Sequence, residues 1–171
     1  MIDAMVLINK RLPEARWIVV GDGGLRKDLE RYSSERGIAH KITFVGAVRD
    51  DERERWLDRA HVFAMPSRIE SDGEVEGYGL VYLEAGAHSL PVVAGNVAGA
   101  RDAVQQGKTG LLVEPTDPVA VADAISKLLD DGELREQLGK EGRSKADRQT
   151  WALFAERVEQ TLHEAISETR R

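Results

Sequence analysis

Five short apolar runs, each followed by turn residues and then by a stretch of helical period, constrain this chain more than anything else in it. They are Arg16–Gly21 (RWIVVG), Ile42–Gly46 (ITFVG), Val62–Met65, Pro91–Ala94 and Leu111–Val113. Runs this short are too brief for buried helices and suit strands covered on both faces. Between them, apolar residues recur at spacings of three and four. Met1, Met5, Ile8 and Leu12 predict a first helix ending near Pro13, and Leu25, Leu29 and Tyr32 a second stopping at Gly37. A charged helix over Asp50–Ala60 is expected to bury Trp56 and Leu57. Residues 66–76 read as a polar loop, 77–88 as a helix and 100–106 as a short one. Three helices close the chain near 118–131, 133–146 and 150–168. The last carries Trp151, Phe154, Val158, Leu162 and Ile166 on one stripe.

Strands alternating with helices imply an α/β fold: a Rossmann-like, doubly wound parallel sheet of about five to six strands with helices on both faces. A length of 171 residues suits one domain spanning 1–171. Ligands of such sheets bind beyond the carboxyl ends of the strands. There stand Gly21-Asp22-Gly23-Gly24, Gly46-Ala47-Val48, Pro66-Ser67-Arg68 and the turn from Gly95 to Asp102. Loops rich in glycine and charge, set on apolar strands, suit a polar ligand bearing phosphate.

Several chemistries are excluded. Lys and Arg total 24 against 30 Asp and Glu, a net charge of −6, which argues against a nucleic-acid partner. With no cysteine there is no disulfide and no thiolate metal site. His40, His61, His88 and His163 lack ligand spacing, so no metal and no cofactor is expected. A dinucleotide fingerprint starting at Gly21 fails at Arg26, where its third glycine would stand. Gly107-Lys108-Thr109 resembles the end of a phosphate-binding loop, but Asp102 occupies the position of the first glycine. The chain has no D-x-D pair and no G-x-S-x-G elbow. It shows no basic-then-apolar leader and no apolar run near the ~20 residues of a membrane span, so a cytoplasmic domain is expected.

The most informative stretch is Glu76-Gly77-Tyr78-Gly79-Leu80-Val81-Tyr82-Leu83-Glu84-Ala85. On a helix, Glu76 and Glu84 would lie ~12 Å apart along the axis. That is roughly the reach from a sugar ring across two phosphates to a ribose. Free N–H groups over Gly77–Leu80 could cradle phosphate oxygens, and Glu84 could accept hydrogen bonds from ribose hydroxyls. The plain alternative is an amphipathic helix with Leu80, Leu83 and Ala87 inward and both carboxylates in solvent.

The segments WIVVGDGG, ITFVGAV, VFAMPSR, EGYGLVYLEAGA, LPVVAGNVAGARDAV and GKTGLLVEPTDP, with the Trp151 region, cover nearly the whole chain. Together they resemble the C-terminal, nucleotide-sugar-binding domain of a retaining glycosyltransferase of family 4, or group 1, with the GT-B architecture of two Rossmann-like domains. Within it, AMPSRIESDGEVEGYGLVYLEA is most similar to bacterial enzymes that build lipid-linked or polysaccharide glycosides, phosphatidylinositol mannosyltransferases among them. The resemblance implies that Glu76 contacts the donor sugar and Glu84 the ribose. It implies that Gly77, Tyr78, Gly79 and Leu80 hold the diphosphate, that Val48, Met65, Ser67 and Arg68 flank the base, and that Gly21, Asp22 and Gly23 border the phosphate cleft. The turn Gly99-Ala100-Arg101-Asp102 departs from the family's commoner Gly-Gly-x-Pro-Glu form.

The resemblance further implies a parent that transfers a hexose from a nucleoside diphosphate to a lipid, saccharide or small-molecule acceptor. That parent would be cytoplasmic or peripheral at a membrane. Its N-terminal acceptor-binding domain, and a diphosphate-gripping Arg and Lys, would precede this chain. The last helix would then pack across toward that domain, and the bare interdomain face would favour self-association. The domain alone is expected to bind donor weakly and to be inactive. Other readings are a non-catalytic subunit of a split transferase and a nucleotide-sugar epimerase of the same fold.

Overall fold

A computed structural model describes residues 1–69 and 77–169. Eight α-helices and five strands are found among them. In order they are α1 (Ile2–Arg11), β1 (Trp17–Val20), α2 (Arg26–Glu35), β2 (Ile42–Gly46), α3 (Asp50–Arg59), β3 (Phe63–Met65), α4 (Leu80–Ala87), β4 (Val92–Gly95), α5 (Ala98–Ala103), β5 (Gly110–Val113), α6 (Pro118–Asp130), α7 (Gly132–Asp147) and α8 (Trp151–Thr169). Every strand pair is parallel, as expected of strands joined by helical crossovers. The sheet is nonetheless interrupted. β1 pairs with β2, and β3, β4 and β5 pair in that order, but no ladder joins β1 to β3 among the described residues.

The two faces follow from alternation along β4. Val93 points into a cluster built from Ile2, Met5 and Ile8 of α1, Val121, Ile125 and Leu128 of α6, and Leu138 of α7. Val92 and Ala94 point the other way, toward Tyr82 and Ala85 of α4 and Ala100 and Ala103 of α5, with Leu57 of α3 beside them. So α1 and α6 cover one face, and α3, α4 and α5 the other. Asp117 and Asp131 start α6 and α7 as side-chain caps, accepting from the amides of Val119 and Leu134 at 2.8 and 2.9 Å. Helices α4 and α7 cross on glycine. A Cβ added at Gly86 would lie 2.9 Å from the Gly142 carbonyl oxygen, and one at Gly139 would lie 2.1 Å from that of Ser89.

Three expectations need correcting. Trp56 and Leu57 are half-buried, because α3 lies over the interruption between β1 and β3 and has no strand beneath it there. The Arg59 guanidinium covers the Trp56 ring at 5.5 Å. α4 begins at Leu80 rather than 77, because Gly79 has φ +76°, a left-handed conformation that a right-handed helix cannot contain. Its inward residues are Tyr82, Ala85 and Gly86, while Leu80 is 51% exposed. α5 runs over Ala98–Ala103 instead of 100–106. No helix among the described residues is long and apolar enough to cross a membrane.

Candidate functional site

The carboxyl ends of the strands carry the loops singled out above, in two groups on either side of the interruption. On one side, Gly21 leaves β1 at φ +122° and donates its N–H to the Gly46 carbonyl at 2.8 Å. The Asp22 carboxylate folds back to accept the Gly23 N–H at 2.8 Å. Arg26 then ties the two loops together. It donates to Glu30 at 2.9 Å and to the Phe44 carbonyl at 3.1 Å, and lies 3.7 Å from Asp22. A Cβ at Gly46 would meet this guanidinium at 2.9 Å, so glycine there makes room for the arginine. Val48 is half-buried just beyond.

On the other side, β3 runs into Met65, Ser67 and Arg68. The Met65 carbonyl accepts from the Ser67 amide and from the Tyr82 hydroxyl, both at 2.8 Å, which fixes the end of β3 to α4. Phe63 packs edge-on against the same tyrosine at 6.2 Å. The backbone of Gly95 presses on this loop so closely that a Cβ would fall 1.9 Å from the Ser67 carbonyl oxygen. Gly77, Tyr78 and Gly79 approach from outside the helix, and the Tyr78 hydroxyl donates to Gln149 at 2.5 Å. The first amides of α4 thus open toward the carboxyl edge of the sheet. Glu76 lies outside the described residues.

Glu84 sits a turn into α4 with 40% of its side chain exposed, and its carboxylate is 3.7 Å from Arg53 Nε of α3. That nitrogen is buried and makes no hydrogen bond among the described residues. Arg53 also pairs with Asp50 at 3.2 Å. Thus Arg53 stands beside Glu84 and Arg26 beside Asp22, and neither is expected as a site residue from the sequence. Arg26 was visible only as the breaker of a glycine fingerprint, and Arg53 was one charge among many in DDERERW. Arg101 is already engaged, donating to the side chain and carbonyl of Asn96 at 2.8 and 2.9 Å. The turn at Gly107 is structural, since the Gly107 amide bonds the Gly110 carbonyl and the Thr109 hydroxyl accepts from Gln105.

Residues 1–145 match the family of group 1 glycosyl transferases. This chain belongs to that family. A Mycobacterium tuberculosis GDP-mannose-dependent α-(1-6)-phosphatidylinositol monomannoside mannosyltransferase is 40% identical over 144 residues, covering 84% of this chain and 37% of the relative. Sucrose-phosphate synthase from Thermosynechococcus elongatus superposes with a TM-score of 0.81 at 28% identity, over 98% of this chain and 42% of the other. Anabaena HepE, solved with UDP and glucose, superposes with a TM-score of 0.78 at 23% identity, over 98% of this chain and 44% of its own. The chain therefore spans less than half the length of these relatives. The group 1 resemblance and the parallel α/β fold expected from the sequence are thereby established.

Proposed function

We propose that this domain binds the nucleoside-diphosphate sugar of a retaining hexosyltransferase whose acceptor is held by a second domain. The observation that carries the reading is the start of α4. Gly79 turns the chain in a left-handed conformation into the first turn of α4, which has no side-chain cap among the described residues, with Glu84 one turn behind it. Amides at a helix N-terminus hold phosphate oxygens, and a carboxylate a turn away suits vicinal ribose hydroxyls. Family membership and the UDP in the Anabaena structure support the same ligand class. Gly21, Asp22 and Gly23 would border the phosphates, and Val48, Met65, Ser67 and Arg68 the base. In the reaction, the bond between the anomeric carbon and the diphosphate oxygen breaks and the acceptor oxygen bonds that carbon from the same face. The departing diphosphate takes the electron pair and the proton released by the acceptor hydroxyl, and is stabilised by amides at the start of α4. Glu76 is assigned to the sugar by the family pattern alone. No metal is assigned a role. The stripe on α8 would dock against the acceptor domain.

Calorimetry of the 171-residue chain with UDP-, GDP- and ADP-sugars tests this. One of them should bind with a Kd weaker than about 10 μM, and Glu84→Ala should weaken it by roughly tenfold, about 1.4 kcal/mol. No sugar transfer should occur. Tighter binding, or binding indifferent to Glu84→Ala, would count against the assignment, and product formation would show that the domain needs no partner for chemistry.

A further inference from the structure

Arg53 carries a cost to the fold that its own surroundings do not offset. Its Nε is buried without a hydrogen bond among the described residues, although 42% of the side chain stays exposed. A buried donor left unpaired destabilises the folded state. The two ion pairs return little. Asp50, at 3.2 Å, is largely in solvent, and Glu84, at 3.7 Å, lies beyond hydrogen-bonding distance. A methionine would occupy much of the same space without the unpaired donor. The guanidinium therefore serves something other than packing, and what stands beside it is the Glu84 carboxylate.

The crossovers build this placement. α3 follows β2 and α4 follows β3, so both helices start at the carboxyl edge of the sheet. Arg53 is the fourth residue of α3 and Glu84 the fifth of α4, so each stands about one turn down from that edge. Asp50, the first residue of α3, holds the arginine from three residues back. We infer that Arg53 is a positioning residue for ribose: its charge, steadied by Asp50, holds the Glu84 carboxylate in the orientation that receives two vicinal hydroxyls. The inference rests on the nucleotide reading above, in which Glu84 takes the ribose. At 3.7 Å the guanidinium attracts the carboxylate without donating a hydrogen bond to it, so the lone pairs of both oxygens stay open to the hydroxyls. No hydrogen bond reaches Glu84 from the described residues, and Arg53 is the cation paired with it among them. Without that charge the glutamate would visit further rotamers, and binding would have to order it.

The test is calorimetry of the 171-residue chain with UDP, GDP and ADP and, for the one that binds best, with its 2′-deoxy form. Arg53→Met should bind the ribonucleotide about three- to tenfold more weakly, while its Tm is no lower than that of the wild type. Arg53→Lys keeps the charge and should stay within about twofold of wild type. Arg55→Met removes an α3 cation that pairs with Asp51 instead, and should leave binding unchanged. In a Glu84→Gln background, Arg53→Met should cost less than about twofold further, because the two act as one unit. The preference for the ribonucleotide over its 2′-deoxy form should shrink in Arg53→Met by about threefold or more. If no nucleotide binds, or Glu84→Ala has no effect, the nucleotide reading fails and takes this inference with it. If Glu84→Ala weakens binding and Arg53→Met does not, the inference alone fails. It also fails if Arg53→Lys binds as weakly as Arg53→Met, or if the losses at 53 and 84 add in full. Equal loss for the ribo and 2′-deoxy forms would put the guanidinium on the diphosphate and overturn it, and an Arg53→Met chain that is destabilised would assign the guanidinium to the fold instead.

Discussion

β4 and β1 are both short, apolar and parallel, yet all four residues of β4 are buried while Val20 at the end of β1 is 38% exposed. The difference lies in their neighbours. β4 has a strand on each side and helices on both faces. Among the described residues β1 has one strand beside it, and on its other side it borders the interruption. The helices follow suit. α6 buries six residues, α2 buries only Ser33, and α3 none. The β1–β2 half is instead laced by exposed ion pairs such as Arg31–Asp28 and Arg55–Asp51, each of which contributes little. An apolar run therefore does not settle how deeply a strand is buried; strand order does.

Substitutions can break that contrast at its strongest point. Gly95→Val would drive a side chain into the Ser67 carbonyl and should cost about 3 kcal/mol or more, read as a large fall in the urea midpoint. Wild-type stability in that variant would mean that β4 is not held as tightly as its burial indicates. Next in size, Leu128→Ala, at a fully buried position of α6, should lose about 2–5 kcal/mol. Leu29→Ala on α2, at 39% exposure, should lose less than about 1 kcal/mol. Equal losses would erase the distinction between the halves.

Much of this was legible beforehand. The strand runs were placed to within about a residue, because apolar runs bounded by glycine and proline carry their own punctuation. The start of α4 lies beyond the one the sequence suggests, because Gly79 is the left-handed turn before the helix and nothing local in GYGLVY marks it as such. The interruption between β1 and β3 was not legible, since nothing local in WIVV or VFAM says which strand stands alongside. Crossing glycines such as Gly86 and Gly142 were equally hidden, because their partners lie far away in sequence. In the site, the loops were found by their place after strands. Arg53 was not, because only the packing of α3 beside α4 brings it to Glu84.

The smallest effect sharpens the comparison through pH. Lys145 is buried and donates to the Asp102 carbonyl at 2.5 Å. Burial lowers its pKa from the usual 10.5, with Asp102 partly opposing. Between the lowered value and 10.5 the unfolded chain binds the proton more tightly than the folded one, so this group makes stability rise with pH there. Urea denaturation across the alkaline range should show that rise in the wild type and a flatter profile in Lys145→Met. Identical profiles would mean that Lys145 is in effect solvated.

The contact between Gly95 and Ser67 also has a mechanical meaning. With no side chain between them, main chain rests on main chain, and the segment leaving β3 has no slack of its own. Whatever pulls on Ser67 pulls at once on β4 and, through its ladder, on β5. The stiffness of that rim is borrowed from the layer behind it.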